Sequence, residues 1–373
     1  MPEKALYLLA AEYRETKLWE FMSDSELFAV RMPDDEIGYV SIMGALGEHI
    51  ALAVYPGSAG LESYRLLWQG MDGLREVEKH ERMLSQDCVM CSFEGRAELR
   101  PRDQKEIREY GLTFLGKRAY PIFDRCRALH LPWYLEDKRD EEYLRLGLLA
   151  GLEVARRIND VPIQQDMFHA CDPGASKEDL GLQEGKPMDR EIPLLTPRAD
   201  GTFDWGRLPL PEPAATVCAG SSLMDDIARV KLKKKHKHGA WECGAFMVPQ
   251  AITDEETDDG SVAVEPKQAP SFPMAIVIVN HADGIILRYA MTKPSEHYMD
   301  DLLGAFVEHM KKAGVPAQIF VQDARTHALL VGISEQLGIQ LSREEHLPLL
   351  TEIEDQLVDA AETGNQEDAE SML

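Results

Sequence analysis

The feature that most narrows what this chain can fold into is an order of apolar runs that begins at Trp241. Residues 241–248, 274–279 and 285–291 are three strand-length runs rich in apolar and β-branched residues, and the last two flank Asn280-His281-Ala282-Asp283-Gly284, a turn-rich pentapeptide that suits a hairpin loop. The periods that follow predict a helix over about 295–313, a strand over 318–321 after Gly314-Val315-Pro316, a helix over about 324–337, a strand near 339–342 and a last helix over about 347–361. The order is βββαβαβα, that of an α/β unit.

The first half reads differently. Leu6, Leu9, Ala10, Tyr13 and Lys17 fall at helical spacing, so an amphipathic helix is predicted over 7–22. Short β-rich runs at 27–32, 37–43 and 49–55 are separated by Pro33-Asp34-Asp35 and by Gly44 to Gly47, which predicts an antiparallel meander. Helices over 61–71 and 75–86, a strand over 88–93, a helix over 101–110 with Pro101 in its first turn, a strand near 119–125 and a buried helix over 140–158 complete an N-terminal α/β domain. Its limits are set at 1–165, because residues 171–191 are rich in Gly, Pro and charge and show no apolar period. The second domain is placed at 190–361, opening with a strand pair over 192–196 and 202–208 around Asp200-Gly201 and continuing with a helix from Ser221 or Ser222 to about Lys235. The acidic loop 253–260 and the frayed acidic tail 362–373 are expected at the surface.

A chain of 373 residues exceeds the usual size of one hydrophobic core, and 44% apolar residues suffice for two. The 40 Lys plus Arg against 65 Asp plus Glu leave a net charge of −25, which repels phosphate backbones and disfavours nucleic acid as a partner. The residues from Met1 to Ala10 read as neither a secretory signal nor a transit sequence, and no apolar run is long enough to span a bilayer. A soluble, cytoplasmic protein without a membrane partner is expected. Cys88, Cys91, Cys126, Cys171, Cys218 and Cys243 lack the dense spacing of a disulfide framework and read as reduced thiols.

The element order from about residue 240 resembles the ribonuclease-H-like fold of transposase and retroviral-integrase cores. In those cores a Trp-x-x-Asp opens the first strand and another Asp ends the fourth; here Trp241-Glu242-Cys243-Gly244 and Val321-Gln322-Asp323 stand in those places. The resemblance implies divalent metal held between the two aspartates to activate water and stabilise a leaving oxygen, but Gly244 occupies the first position. The whole chain also resembles a two-domain bacterial family without an assigned activity, through Ser41-Ile42-Met43-Gly44-Ala45-Leu46-Gly47, Gln86-Asp87-Cys88 and Pro132-Trp133-Tyr134-Leu135.

Each candidate site has a functional and a structural reading. Asp323, between a strand and a helix, can hold a metal or cap the helix; Glu242, Asp283, His281 and His327 are its candidate partners, with His327 one helical turn beyond it. Cys88-Val89-Met90-Cys91 is a single CxxC that, on a strand, sends its thiols to opposite faces, so core packing is favoured over a metal or redox pair. Lys231, Lys233, Lys234, Lys235 and Lys237 form the one dense basic run, suited to anion or nucleic-acid contact or to a helix C-terminus. Gly44-Ala45-Leu46-Gly47 and Gly57-Ser58-Ala59-Gly60 lack the ending of a phosphate loop; the first reads as a turn between strands and the second as a helix entry. Tyr7, Tyr13, Trp19, Phe28, Tyr39, Tyr55, Tyr64 and Trp68 fit core packing better than a pocket.

The leading expectation is a non-catalytic binding or regulatory protein on a degenerate ribonuclease-H-like scaffold, with no cofactor. The first alternative is a divergent metal-dependent nuclease or phosphotransferase using Asp323 with Glu242 or Asp283, and this alone calls for a divalent metal. The second is a small-ligand site in the N-terminal domain.

Overall fold

The computed structural model describes residues 2–47, 49–68, 74–160, 191–212, 237–253, 266, 268–295 and 297–363, leaving aside the side chains of 76, 159–160 and 359–363. The readings for residues 171–190, for the helix over 221–235 with Lys231, Lys233, Lys234 and Lys235, for most of the acidic loop 253–260, for Cys171 and Cys218, and for the tail from 364 lie outside these residues. The chain divides into two compact units, one of residues 1–73, 82–214 and 257–269, the other of residues 74–81, 215–256 and 270–373.

In the first unit, α1 (Lys4–Thr16) is followed by a meander, β1 (Leu27–Arg31), β2 (Ile37–Met43) and β3 (Ala51–Pro56). The opening helix is shorter than its apolar spacing predicts, because Lys17 takes a left-handed conformation (φ 49°) and hands the chain to a single 3₁₀ turn over Leu18–Glu20. After α2 (Gly57–Trp68), and α3 (Glu76–Met83), most of which belongs to the second unit, come β4 (Cys88–Glu94), α4 (Pro101–Glu109), β5 (Tyr120–Cys126), the two-residue β6 (Trp133–Tyr134) and α5 (Lys138–Asp160). The sheet runs β6-β5-β4-β3-β2-β1-β7-β8, where β7 is Glu191–Pro197 and β8 is Phe203–Pro209.

That order corrects one expectation. The hairpin over 192–208 does not open the second domain; β7 pairs in parallel with β1, Ala29 opposite Leu194, and extends the first sheet. One sheet face buries Val40, Ile42, Leu52 and Val54 under α1 and α5, and the other buries Tyr39, Ala53 and Tyr55 with α2. Gly147 and Gly151, one turn apart on α5, make the first of these layers possible. A Cβ at Gly147 would stand 2.4 Å from Val54, and one at Gly151 2.8 Å from the Tyr13 ring. The crowded aromatic residues are largely core, as predicted: Tyr7, Tyr13, Trp19, Phe28, Tyr39, Tyr55 and Tyr64 are all buried.

A charged cluster anchors α4. Arg100 lies 2.8 Å from Asp103 and 2.8 Å from Asp124, and its guanidinium stacks 4.0 Å above the Tyr134 ring, with Arg102 4.4 Å from the same ring. Burial pushes the Asp124 carboxyl up to about 6, against the opposing pull of Arg100. Cys88 and Cys91 face opposite sides of β4, Cys88 in one core cluster and Cys91 in the other, which is the result of period-2 alternation. Burial raises the Cys91 thiol, and a hydrogen bond with cross-strand Cys126, then burial, raises that of Cys88; both stay protonated and poorly suited to bind metal.

The second unit contains β9 (Ala240–Met247), β10 (Met274–Asn280), β11 (Ile286–Thr292), α6 (Tyr298–Ala313), β12 (Gln318–Val321), α7 (Ala324–Leu337), β13 (Gln340–Arg343) and α8 (Pro348–Thr363). Its sheet order is β11-β10-β9-β12-β13, antiparallel through β9 and parallel from β9 to β13. This is the order and polarity of a ribonuclease-H-like core, as expected. On one face, Trp241 packs against Phe306 of α6; on the other, Phe246, Val277 and Val279 are covered by Leu350 and Leu357 of α8.

Candidate functional site

Alternation along β9 puts Glu242, Gly244 and Phe246 on the face beneath α8. Gly244 stands where a metal-binding core would place its first carboxylate. Its missing side chain leaves a space, and the carboxylate of Glu354 from α8 fills it. A Cβ on Gly244 would stand 1.8 Å from Glu354 Oε1. The other oxygen, Oε2, accepts a 2.7 Å hydrogen bond from Arg75 Nη1.

Arg75 is held in place by the start of α3. Its backbone N–H donates to Glu78 Oε2 at 2.8 Å, one half of a capping box, while its guanidinium lies 3.3 Å from Glu78 and 3.6 Å from Asp355. One helical turn beyond Glu78, Glu81 pairs with Arg325 in the first turn of α7. Burial pushes the Glu354 carboxyl up to about 7; Arg75 opposes the rise, and the negative charges of Asp323 and Glu78 add to it. The cation beside Glu354 is thus a guanidinium, which offers donors to carboxylates.

Asp323 is the N-cap of α7. Oδ1 accepts the Thr326 N–H at 2.7 Å and Oδ2 the Thr326 hydroxyl at 2.5 Å. The Thr326 oxygen in turn accepts the Ala245 N–H at 2.9 Å. That N–H lies past the last β9–β12 pair, Cys243 with Val321, and would otherwise be buried without a partner.

The other candidates are tied elsewhere. Glu242, 1% exposed, accepts the Leu350 N–H in the first turn of α8 at 3.1 Å through Oε2, and its Oε1 lies 2.7 Å from His281 Nδ1. It caps a helix from a neighbouring strand, where the helix dipole favours an anion. Asp283 closes the β10–β11 turn by accepting the Ile285 N–H at 3.1 Å. His327 donates its backbone N–H to the Asp323 carbonyl in the first turn of α7. His281 thus meets Glu242, but the set Asp323, Glu242 and Asp283 is not gathered around one position, and among the described residues no group of three or more His, Cys, Asp and Glu could hold a metal ion. Lys237 donates to the Gly338 carbonyl at the C-terminus of α7, a different helix from the one over 221–235 whose end it was expected to complement. Gly44 to Gly47 form a turn, with Gly47 N–H donating to the Gly44 carbonyl, and Gly57 starts α2.

Sequence reasoning did not find Arg75 and Glu354. They are 279 residues apart, and no periodic signal links them. Gly244 was the available clue, since a glycine on a buried strand face invites a side chain from elsewhere to fill its space.

Residues 4–174 match the model of a domain of unknown function (DUF7309), and residues 226–358 match that of a second domain of unknown function (DUF6930). The chain is therefore a two-domain protein that joins these two domains. No curated protein matches it. Among solved structures, a chain of the crystal structure of the Mos1 strand transfer complex aligns with 12% identity and a TM-score of 0.17, over 60% of this chain and 65% of that one.

Proposed function

We propose that the protein is a non-catalytic binding or regulatory protein, in which the ribonuclease-H-like unit serves as a scaffold. One observation carries this reading: at the position of the missing first carboxylate, Glu354 fills the space over Gly244 and Arg75 supplies the positive charge. Two-metal chemistry needs carboxylates that share divalent ions and leave room for water and substrate. Here the oxygens of Asp323 are turned to Thr326, and those of Glu354 to Arg75 and to the space over Gly244.

The test is phosphodiester cleavage. The full chain, incubated with plasmid DNA or RNA in Mg²⁺ or Mn²⁺, is expected to leave both intact, with wild type and Asp323→Ala indistinguishable. Cleavage by the wild type that Asp323→Ala abolishes would overturn the reading in favour of a metal-dependent nuclease.

A further inference from the structure

The first unit contains a concavity of about 340 Å³ between α4, the turn that precedes it and the chain that leaves it. Its construction follows from the C-terminus of α4. Gly111 adopts φ 63° and the Leu112 N–H returns to the Ile107 carbonyl at 3.0 Å, which turns the chain so that Leu112 lines the concavity together with the helix. Leu99 and Ile107, both buried at the edge of the main core, form an apolar floor with Leu112.

The rim is cationic. Arg108 and Gln104 are one helical turn apart on α4, and Arg96 comes from the 3₁₀ turn before it. Both arginines are exposed, and neither guanidinium has an ion pair or hydrogen bond with a described residue. In a chain with 65 acidic residues, none of the nine residues lining this concavity is Asp or Glu. Two like charges thus stand at one rim with no counter-charge among the lining residues. The volume lies at the lower end of the range for small-molecule sites, roughly 300–1,000 Å³.

We infer that this concavity binds a small organic monoanion, its oxyanion head between Arg96 and Arg108 and its apolar body against Leu99, Ile107 and Leu112. An inorganic oxyanion is too small to use the floor, and the overall charge of −25 opposes a polyanion. Planar guanidinium forks suit carboxylate, sulfonate and phosphate heads alike, and the apolar body supplies the rest of the selectivity. The inference stands independently of the scaffold reading of the second unit.

The experiment is a fluorescence titration of the full chain with 1-anilinonaphthalene-8-sulfonate, an anionic head on an apolar body. Saturable one-to-one binding is expected, displaced by decanoate and not by inorganic phosphate at the same concentration. Arg96→Gln with Arg108→Gln is expected to weaken the probe at least tenfold, and Leu112→Trp to block it. A control on the outer face of the same helix, Lys105→Gln, is expected to change affinity less than twofold. No saturable binding, equal displacement by phosphate, or an unchanged affinity in the double variant would overturn the inference.

Discussion

Gly244 and Glu354 are one structural unit, and each explains the other. Any side chain at Gly244 must move the Glu354 carboxylate away from its position beside Arg75, so Gly244→Ala is expected to cost about 1–3 kcal/mol in urea unfolding. In an Glu354→Ala background the cost should fall below half of that, since the displaced group is gone; full additivity would show that the two do not interact. The pH dependence has a definite sign. The folded pKa of Glu354 is raised to about 7 from 4.5, so its contribution is fully present below about 4.5 and is lost as pH rises through about 7. The stability difference between wild type and Glu354→Gln should therefore shift toward the wild type by up to about 3 kcal/mol as pH falls from about 7 to about 4.5. A difference that is flat over this window in parallel urea titrations would contradict the buried placement of Glu354.

At the scale of elements, helix ends and buried ion pairs set the local stability. Asp323→Ala removes the cap of α7 and loosens Thr326 from β9, with an expected loss of about 1–2 kcal/mol in thermal or urea unfolding. Arg100→Ala leaves Asp103 and Asp124 buried without their cation and should cost about 3–5 kcal/mol, whereas Arg145→Ala, an exposed partner of Glu142, should cost less than about 1 kcal/mol. Equal costs would remove the distinction. The elements themselves were largely legible: the apolar runs of β9 to β13 and the cap and glycine that bound α7 at 324–337 lie where local chemistry puts them. β6 was not, because two residues show no alternation. The β7–β8 hairpin was found but given to the wrong domain, since turn chemistry specifies that two strands pair and is silent on the parallel partner β1, more than a hundred residues earlier.

At the scale of the molecule, two sheets with separate cores account for a chain too long for one, and the acidic balance of −25 sets the terms for any partner. No helix among the described residues is long and apolar enough to cross a membrane. The candidate site was half legible from sequence: Gly244 and Asp323 were singled out there, but the pairing of Arg75 with Glu354 depends on a contact between distant segments of the chain that folding alone creates. The most direct measurement is a Mn²⁺ titration of the full chain, following free Mn²⁺ by electron paramagnetic resonance. Wild type and Asp323→Ala should deplete free Mn²⁺ equally, through their shared acidic surface alone. One equivalent of Mn²⁺ held by the wild type and released by Asp323→Ala would contradict the account.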